Sequence, residues 1–217
     1  MYETKEEKLN IAGIEIKLIR IVDVDELYSN LVSKGEDHED VKDERIPYWA
    51  ELWPSAIALS EHLIKSKIIS QGISVHEMGC GLGLPGIVAG KLGANILFTD
   101  YLDEALDFAK QNWEMNNDDV ASFQKMDWRN PDAGLKCNLL LASDVAYERK
   151  TFEFLPHAFK TLVKPGGKII VSEPNRLYVQ EFFDSLPFLG FKVKKQLVQV
   201  HHNNLNHRIN IFEIDLR

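Results

Sequence analysis

The sequence predicts an α/β fold: a doubly wound, mainly parallel sheet that closes on a C-terminal antiparallel hairpin. Three observations carry this. From residue 73 onward, short runs rich in Val, Ile and Leu alternate with amphipathic stretches of about 10–15 residues, the pattern of βαβ units. A glycine-rich turn, Gly79-Cys80-Gly81-Leu82-Gly83, separates the first of these strands from its helix. The last two apolar runs, 191–200 and 207–216, have no helix between them and must pair antiparallel.

Taken in order, residues 9–22 alternate apolar and polar around Ala12-Gly13 and read as a β-hairpin. A short helix is expected at about 24–33. The segment GEDHEDVKDER carries six acids, Glu36, Asp37, Glu39, Asp40, Asp43 and Glu44, and reads as a solvated loop. Pro54 and Ser55 open a helix through about Lys67. Strands follow at 73–78, 94–100, 120–126, 138–144 and 167–173, which with the final pair make seven. The run 138–144 is apolar throughout, as a strand buried on both faces should be. Helices are expected up to Leu92 and over 102–116, 149–163 and 175–186, the third ended by Lys164-Pro165-Gly166-Gly167. The last two strands turn over His201 to Asn206.

Composition excludes several classes. The 217 residues carry a net charge of −8, which disfavours a protein that tracks nucleic-acid phosphates. With 45% hydrophobic residues the chain has enough apolar surface for a core. Its two cysteines, Cys80 and Cys137, lack metal or disulfide spacing and suit a reducing compartment. The charged start MYETKEEKLN has no signal-peptide character, and no apolar run is long enough to span a membrane. A cytoplasmic protein is expected, with no nucleic-acid or membrane partner. His201, His202 and His207 cluster at the final turn, but without the helical spacing of a metal site, so no metal is expected.

The glycine turn has two readings. Gly81-x-Gly83-x-x-Gly86, with Asp100 beyond it, matches a dinucleotide fingerprint. Read from Glu77, the stretch is E-x-G-x-G-x-G, which suits S-adenosyl-L-methionine (SAM). Glu77 would repel a pyrophosphate and welcome an ammonium or sulfonium cation. Asp100 ends the next strand, where a carboxylate can accept both ribose hydroxyls. Asp127 and Trp128 end the third, where an acid and an aromatic can hold an adenine. Open α/β sheets bind ligands at such strand ends.

The segments YWAELWPSAIALSEHL, HEMGCGLGLPG, FTDY, MDWRN, LLASDVAYE and SEPNR resemble those of class I, seven-β-strand SAM-dependent methyltransferases with a Rossmann-like sheet. More narrowly, they are similar to methyltransferase family 16, which contains many protein-lysine methyltransferases. The likeness runs from about Pro47 to the C-terminus. It implies a SAM-dependent methyltransferase domain over 47–217, with the hairpin and acidic linker of 1–46 as part of the same domain. PYWAELWPS and SEPNR look like the electron-transfer flavoprotein β-subunit enzymes; LPG and DVAYE look like other members, so that substrate is not assigned.

The resemblance implies that Trp53, Gly79, Cys80, Gly81 and Gly83 line the SAM site, with Asp100 on the ribose, Asp127 and Trp128 flanking the adenine, and Ser143 on the cofactor. Asp144 and Tyr147 match the family's D-x-x-Y motif beside the acceptor amine: Asp144 would position it and Tyr147 shape its pocket. Asp144 also suits a cap of the following helix. Trp49 suits either core or channel, and Glu173 and Arg176 suit a pair with each other. The expected activity is transfer of a methyl group to a protein lysine, leaving S-adenosyl-L-homocysteine, by a monomer. The acidic segment 36–44 would draw a basic partner toward the site. Small-molecule N-methylation, a nicotinamide-dependent oxidoreductase and a non-catalytic nucleoside-binding module remain the other readings.

Overall fold

The computed structural model describes residues 2–42 and 46–216, without the side chains of Glu39 and Asp40. Asp43 and Glu44 of the acidic segment, like those two side chains, lie outside the described residues.

The N-terminal hairpin pairs β1 (Thr4–Ile11) with β2 (Ile14–Ile21) as a separate two-stranded sheet. Ala12 and Gly13, at φ 46° and 95°, make the tight turn that twisted hairpins favour. It begins earlier than the alternation suggested, because β1 pairs from Thr4 with Ile21. Helix α1 (Val24–Ser33) is capped by Asp23, whose carboxylate accepts the Glu26 N–H at 3.2 Å. The acidic segment carries a short helix, α2 (Glu39–Lys42), where an irregular loop was expected.

The main elements are α3 (Pro54–Ser66), β3 (Ser74–Met78), α4 (Leu84–Lys91), β4 (Asn95–Asp100), α5 (Asp103–Glu114), β5 (Ser122–Lys125), β6 (Cys137–Ser143), α6 (Leu155–Leu162), β7 (Val163–Glu173), α7 (Leu177–Ser185), β8 (Phe191–His202) and β9 (Leu205–Leu216). Seven strands form one sheet in the order β5-β4-β3-β6-β7-β9-β8. The pairs from β5 to β7 are parallel, and β9 runs antiparallel to both neighbours. This is the architecture the sequence predicts.

Strand periodicity divides the core into two layers. Leu139, Leu141 and Ile170 face a cluster with Leu59, Ile87 and Phe108 from α3, α4 and α5. Leu140, Ala142 and Val171 face the other cluster, with Phe159 of α6 and Phe183 of α7. Among the described residues, no helix is long and apolar enough to cross a membrane.

Three boundaries differ from expectation. The 149–163 helix is split: residues 149–153 form a 3₁₀ turn and α6 starts at Leu155, because Pro156 is tolerated only in a first helical turn. Lys164 to Gly167 do not end a helix but bulge out of β7, whose pairing with β6 jumps from Cys137↔Val163 to Leu139↔Lys168. The last turn is Asn203-Asn204 alone, at φ 50° and 61°, and not the six residues 201–206. Asparagine tolerates this left-handed backbone, so the strands continue to the tip.

The free edge of β2 is covered by side chains. Asn112 lies on α5 and Asn116 just past its C-terminal end, where Asn116 Nδ2 donates to the Asn112 carbonyl at 2.7 Å. Asn112 Oδ1 accepts the Ile19 N–H at 2.6 Å, and Asn116 accepts from Lys17 N and donates to Lys17 O. Two amides thus replace a third strand. Asn112 is fully buried. Asn112→Ala should lower the unfolding free energy by about 1–3 kcal/mol, the cost of leaving buried backbone groups unpaired, read as a lower urea midpoint with unchanged slope.

Candidate active site

β3 continues into β4 and β5 on one side, whereas β6 lies on its other side. Loops leaving the C-terminal ends of β3 and β6 therefore diverge, and a crevice opens between them. A cavity of about 640 Å³ occupies that place. Its wall includes Gly79 to Leu84 after β3, Asp100 to Leu102 after β4, Met126 to Arg129 after β5 and Ser143 to Val145 after β6. Residues 46–53, before α3, form the opposite rim.

The turn needs glycine for space as well as conformation. Gly79 and Gly81 sit at φ 66° and 50°. A Cβ on Gly79 would meet the Trp128 ring at 3.0 Å, and one on Gly81 the Trp49 carbonyl at 3.2 Å. Asp100 fastens the turn: one carboxylate oxygen accepts the Gly81 N–H at 3.0 Å, the other the Leu102 N–H at 3.2 Å. Burial pushes its carboxyl above the ordinary aspartate value, against the pull of those backbone donors.

Of the twelve residues singled out from the sequence, eleven line this cavity: Trp53, Gly79, Cys80, Gly81, Gly83, Asp100, Asp127, Trp128, Ser143, Asp144 and Tyr147. Glu77 does not, and its expected role toward a ligand cation is corrected. Its side chain is fully buried beneath the turn and accepts the Gly86 N–H, in the first turn of α4, at 2.8 Å. With burial dominating, its carboxyl is pushed well above the ordinary glutamate value. Burial raises the Cys80 thiol as well, so this cysteine is a small, protonated wall residue.

Asp127 reaches the cavity edge already engaged by its neighbour: Arg129 Nε lies 2.9 Å and 2.8 Å from the two carboxylate oxygens. Trp49 belongs to both settings weighed for it, lining the cavity while packing on Phe108 at 5.2 Å between ring centroids. Trp53 Nε1 donates to the Tyr48 carbonyl at 2.8 Å, which fixes the rim. Tyr48 then meets Tyr147 edge-on at 5.4 Å. Burial raises the Tyr147 phenol to about 12. Tyr48 was missed in the sequence because its proximity to Tyr147 is purely tertiary.

Asp144 is not a helix cap: Glu148 occupies the N-cap position of the turn that follows. Asp144 adopts φ 54° and is engaged by the Arg176 guanidinium, Nη1 on Oδ1 and Nη2 on Oδ2 at 3.2 Å. Burial pushes its carboxyl up, and the guanidinium opposes this. The expected Glu173–Arg176 side-chain pair is therefore replaced. Glu173 is buried and takes the Arg176 backbone N–H at 2.6 Å and Asn210 Nδ2 at 3.1 Å. At the distal turn His201 contacts Asn206, and His207 the His202 carbonyl. No group of three metal-ligating side chains occurs among the described residues.

The protein family described as lysine methyltransferase matches residues 39–187. The chain belongs to this family. The family member is 31% identical to the protein N-lysine methyltransferase METTL21A of Xenopus tropicalis, over 77% of this chain and 78% of that one. It is 28% identical to the histone-arginine methyltransferase METTL23 of Mus musculus, over 57% and 51%. The chain spans about half the length of the first of these curated relatives, at 51%, 58% and 53% of each. Among solved structures it resembles magnesium protoporphyrin IX methyltransferase from Synechocystis with bound SAH, with a TM-score of 0.58, 16% identity and coverage of 87% and 93%. That likeness shows the class I methyltransferase fold.

The raised Glu77 carboxyl has a measurable consequence. Because the folded state holds its proton more tightly than the unfolded state, this group's contribution is full below the ordinary glutamate value, about 4.3, and is lost as pH climbs toward the folded value. Glu77→Gln cannot titrate. Its urea midpoint should gain on the wild type progressively as pH rises from about 4 toward 8, and a difference that does not change with pH would contradict the raised carboxyl.

Proposed function

We propose that this protein is a SAM-dependent protein-lysine N-methyltransferase. The observation that carries the reading is one cavity at the sheet's switch point, with the glycine turn, Asp100 and Trp128 on one wall and Asp144, Tyr147 and Tyr48 on another. The residues fit SAM. Gly79 and Gly81 leave the backbone open beside Trp128 and Trp49, Asp100 offers carboxylate acceptors suited to ribose hydroxyls, and the Trp128 ring gives a face for adenine. Asp127 and Ser143 complete that wall.

The dinucleotide reading is disfavoured by the same turn. A pyrophosphate needs free N–H groups at the start of the helix. Here Gly86 N–H is given to Glu77 and Gly81 N–H to Asp100, so neither is free to receive a phosphate oxygen. The family's description and the named lysine relative support lysine as acceptor. A net charge of −8 and the acids of 36–44 suit a basic, lysine-bearing protein. The reading includes a monomer working in the cytoplasm without nucleic acid.

When bound, SAM supplies a methyl carbon activated by a positive sulfonium. The chain's own residues must present a neutral amine and exclude water. A free lysine amine titrates near about 10.4. The aromatic walls of Tyr48 and Tyr147 desolvate it, which favours loss of its proton. Asp144 accepts a hydrogen bond from the amine and directs its lone pair, while alignment supplies much of the rate.

Purified protein, methyl-labelled SAM and a cell lysate should give labelled protein whose hydrolysate contains methyl-lysine. Label confined to arginine, histidine or small molecules would overturn the lysine assignment. Asp100→Ala should weaken S-adenosylhomocysteine binding by about 10- to 100-fold in calorimetry, the worth of one or two charged hydrogen bonds. Asp144→Asn should leave that affinity near wild type and cut transfer at least about tenfold.

A further inference from the structure

We infer that Arg176 is a positioning residue for the transfer: its guanidinium holds the Asp144 carboxylate in a charge-neutral pair, so the acceptor amine enters without a counter-ion that would keep it protonated. This rests on the methyltransferase reading of the cavity.

The geometry is that of a built pair. Asp144 and Arg176 both line the cavity, with side-chain exposures of 8% and 26%. They follow the adjacent parallel strands β6 and β7, which stay in register to Ser143↔Ser172, and the Asp144 N–H reaches the Ser172 carbonyl at 2.8 Å. Left-handed residues on each strand's exit, Asp144 at φ 54° and Asn175 at φ 60°, turn the chain into the crevice. The planar guanidinium then meets the carboxylate fork to fork, a match a lysine could not make.

Buried groups hold the arginine from behind. Glu173 accepts the Arg176 backbone N–H through one oxygen and Asn210 Nδ2 through the other. Asn210 also reaches Asn175 Oδ1 at 3.0 Å. The loop carrying Arg176 is thus tied to β9. Tyr178 and Glu173 face the guanidinium from its own segment. Across the cavity, Tyr147 is in turn influenced by Glu148, Asp100, Lys150 and Tyr48, and Lys42, Glu51, Cys80, Tyr101, Asp127 and Arg129 are the other titratable side chains of the described lining. Of all these, Arg176 supplies the charge paired with Asp144.

The consequence follows from simple electrostatics. A bare carboxylate beside an entering lysine stabilises the ammonium, the form that cannot attack a methyl group. A carboxylate already neutralised by arginine can still accept a hydrogen bond from the amine, without that penalty. Removing the arginine leaves a buried acid and an amine that share one proton tightly and titrate as a coupled pair at higher pH.

The test compares wild type, Arg176→Met and Arg176→Lys. Three measurements are made: label transfer to lysate protein from pH 7 to 9.5, S-adenosylhomocysteine affinity, and the Asp144 carboxyl titration by carbon-detected NMR. Arg176→Met should transfer about tenfold more slowly at pH 7.5, one pKa unit's worth, and recover most of the loss at pH 9.5. Its S-adenosylhomocysteine affinity should stay near wild type, and its Asp144 titration should move upward. Arg176→Lys keeps the charge and should keep the wild-type pH profile at a rate lowered a few-fold. A pH-independent loss in Arg176→Met, no loss at all, or an equal alkaline shift in Arg176→Lys would overturn the inference. Should Arg176→Met not fold, Arg176→Lys and the wild-type Asp144 titration decide alone: an alkaline profile in the lysine variant overturns the inference. Absence of transfer by the wild type would instead sink the methyltransferase reading, and the NMR titration would still report on the pair.

Discussion

β3 must send its chain out between two neighbours that lead in opposite directions, and the rest of the site hangs on that constraint. A loop leaving such a position has no strand above it. It must either project into solvent or lie across the strand ends. Here it lies across them, which brings the backbone of residues 79–83 close to Trp49 and Trp128 and permits only glycine where the approach is tightest. The loops after β4, β5 and β6 then become walls of one cavity without any special provision, because parallel strands deliver all their C-terminal ends to the same side.

Besides Asp127, four carboxylates are gathered at these strand ends, and each receives its own donor. Glu77 has the Gly86 N–H, Asp100 two loop amides, Glu173 the Arg176 amide and Asn210, and Asp144 the guanidinium. Glu77 and Glu173, which do not line the cavity, belong to its structure more than to its chemistry. Burying acids is costly unless they are bonded, so the arrangement trades some stability for loops of fixed shape. Such concentrations of desolvated titratable groups are typical of functional clefts.

Much of the fold was legible because it rests on local signals. Apolar strands, amphipathic helices and the missing helix between 200 and 207 together define the sheet. The site was legible at strand ends for the same reason, since Asp100, Asp127, Trp128, Ser143 and Asp144 are placed by where each strand stops. Side-chain direction was not legible. Glu77 points under the turn because alternation along β3 sends it into the core beside Phe98, something a motif does not encode. Arg176 stands three residues from Glu173, which suggested a local pair, yet its guanidinium crosses to the neighbouring strand's loop. Pro156 did carry a readable signal: a proline eight residues into a supposed helix marks the start of a new one.

Asn112 gives the molecule a property that neither the hairpin nor the cavity has alone. Its amide holds the Ile19 backbone on one side and the Leu82 carbonyl, inside the glycine turn, on the other. The N-terminal hairpin and the turn are therefore one mechanical unit. A molecule that orders the turn also raises the free energy needed to open the hairpin, through thermodynamic linkage. Amide exchange at Ile19 thus becomes a reporter of cavity occupancy, read out at a strand that supplies no residue to the cavity wall.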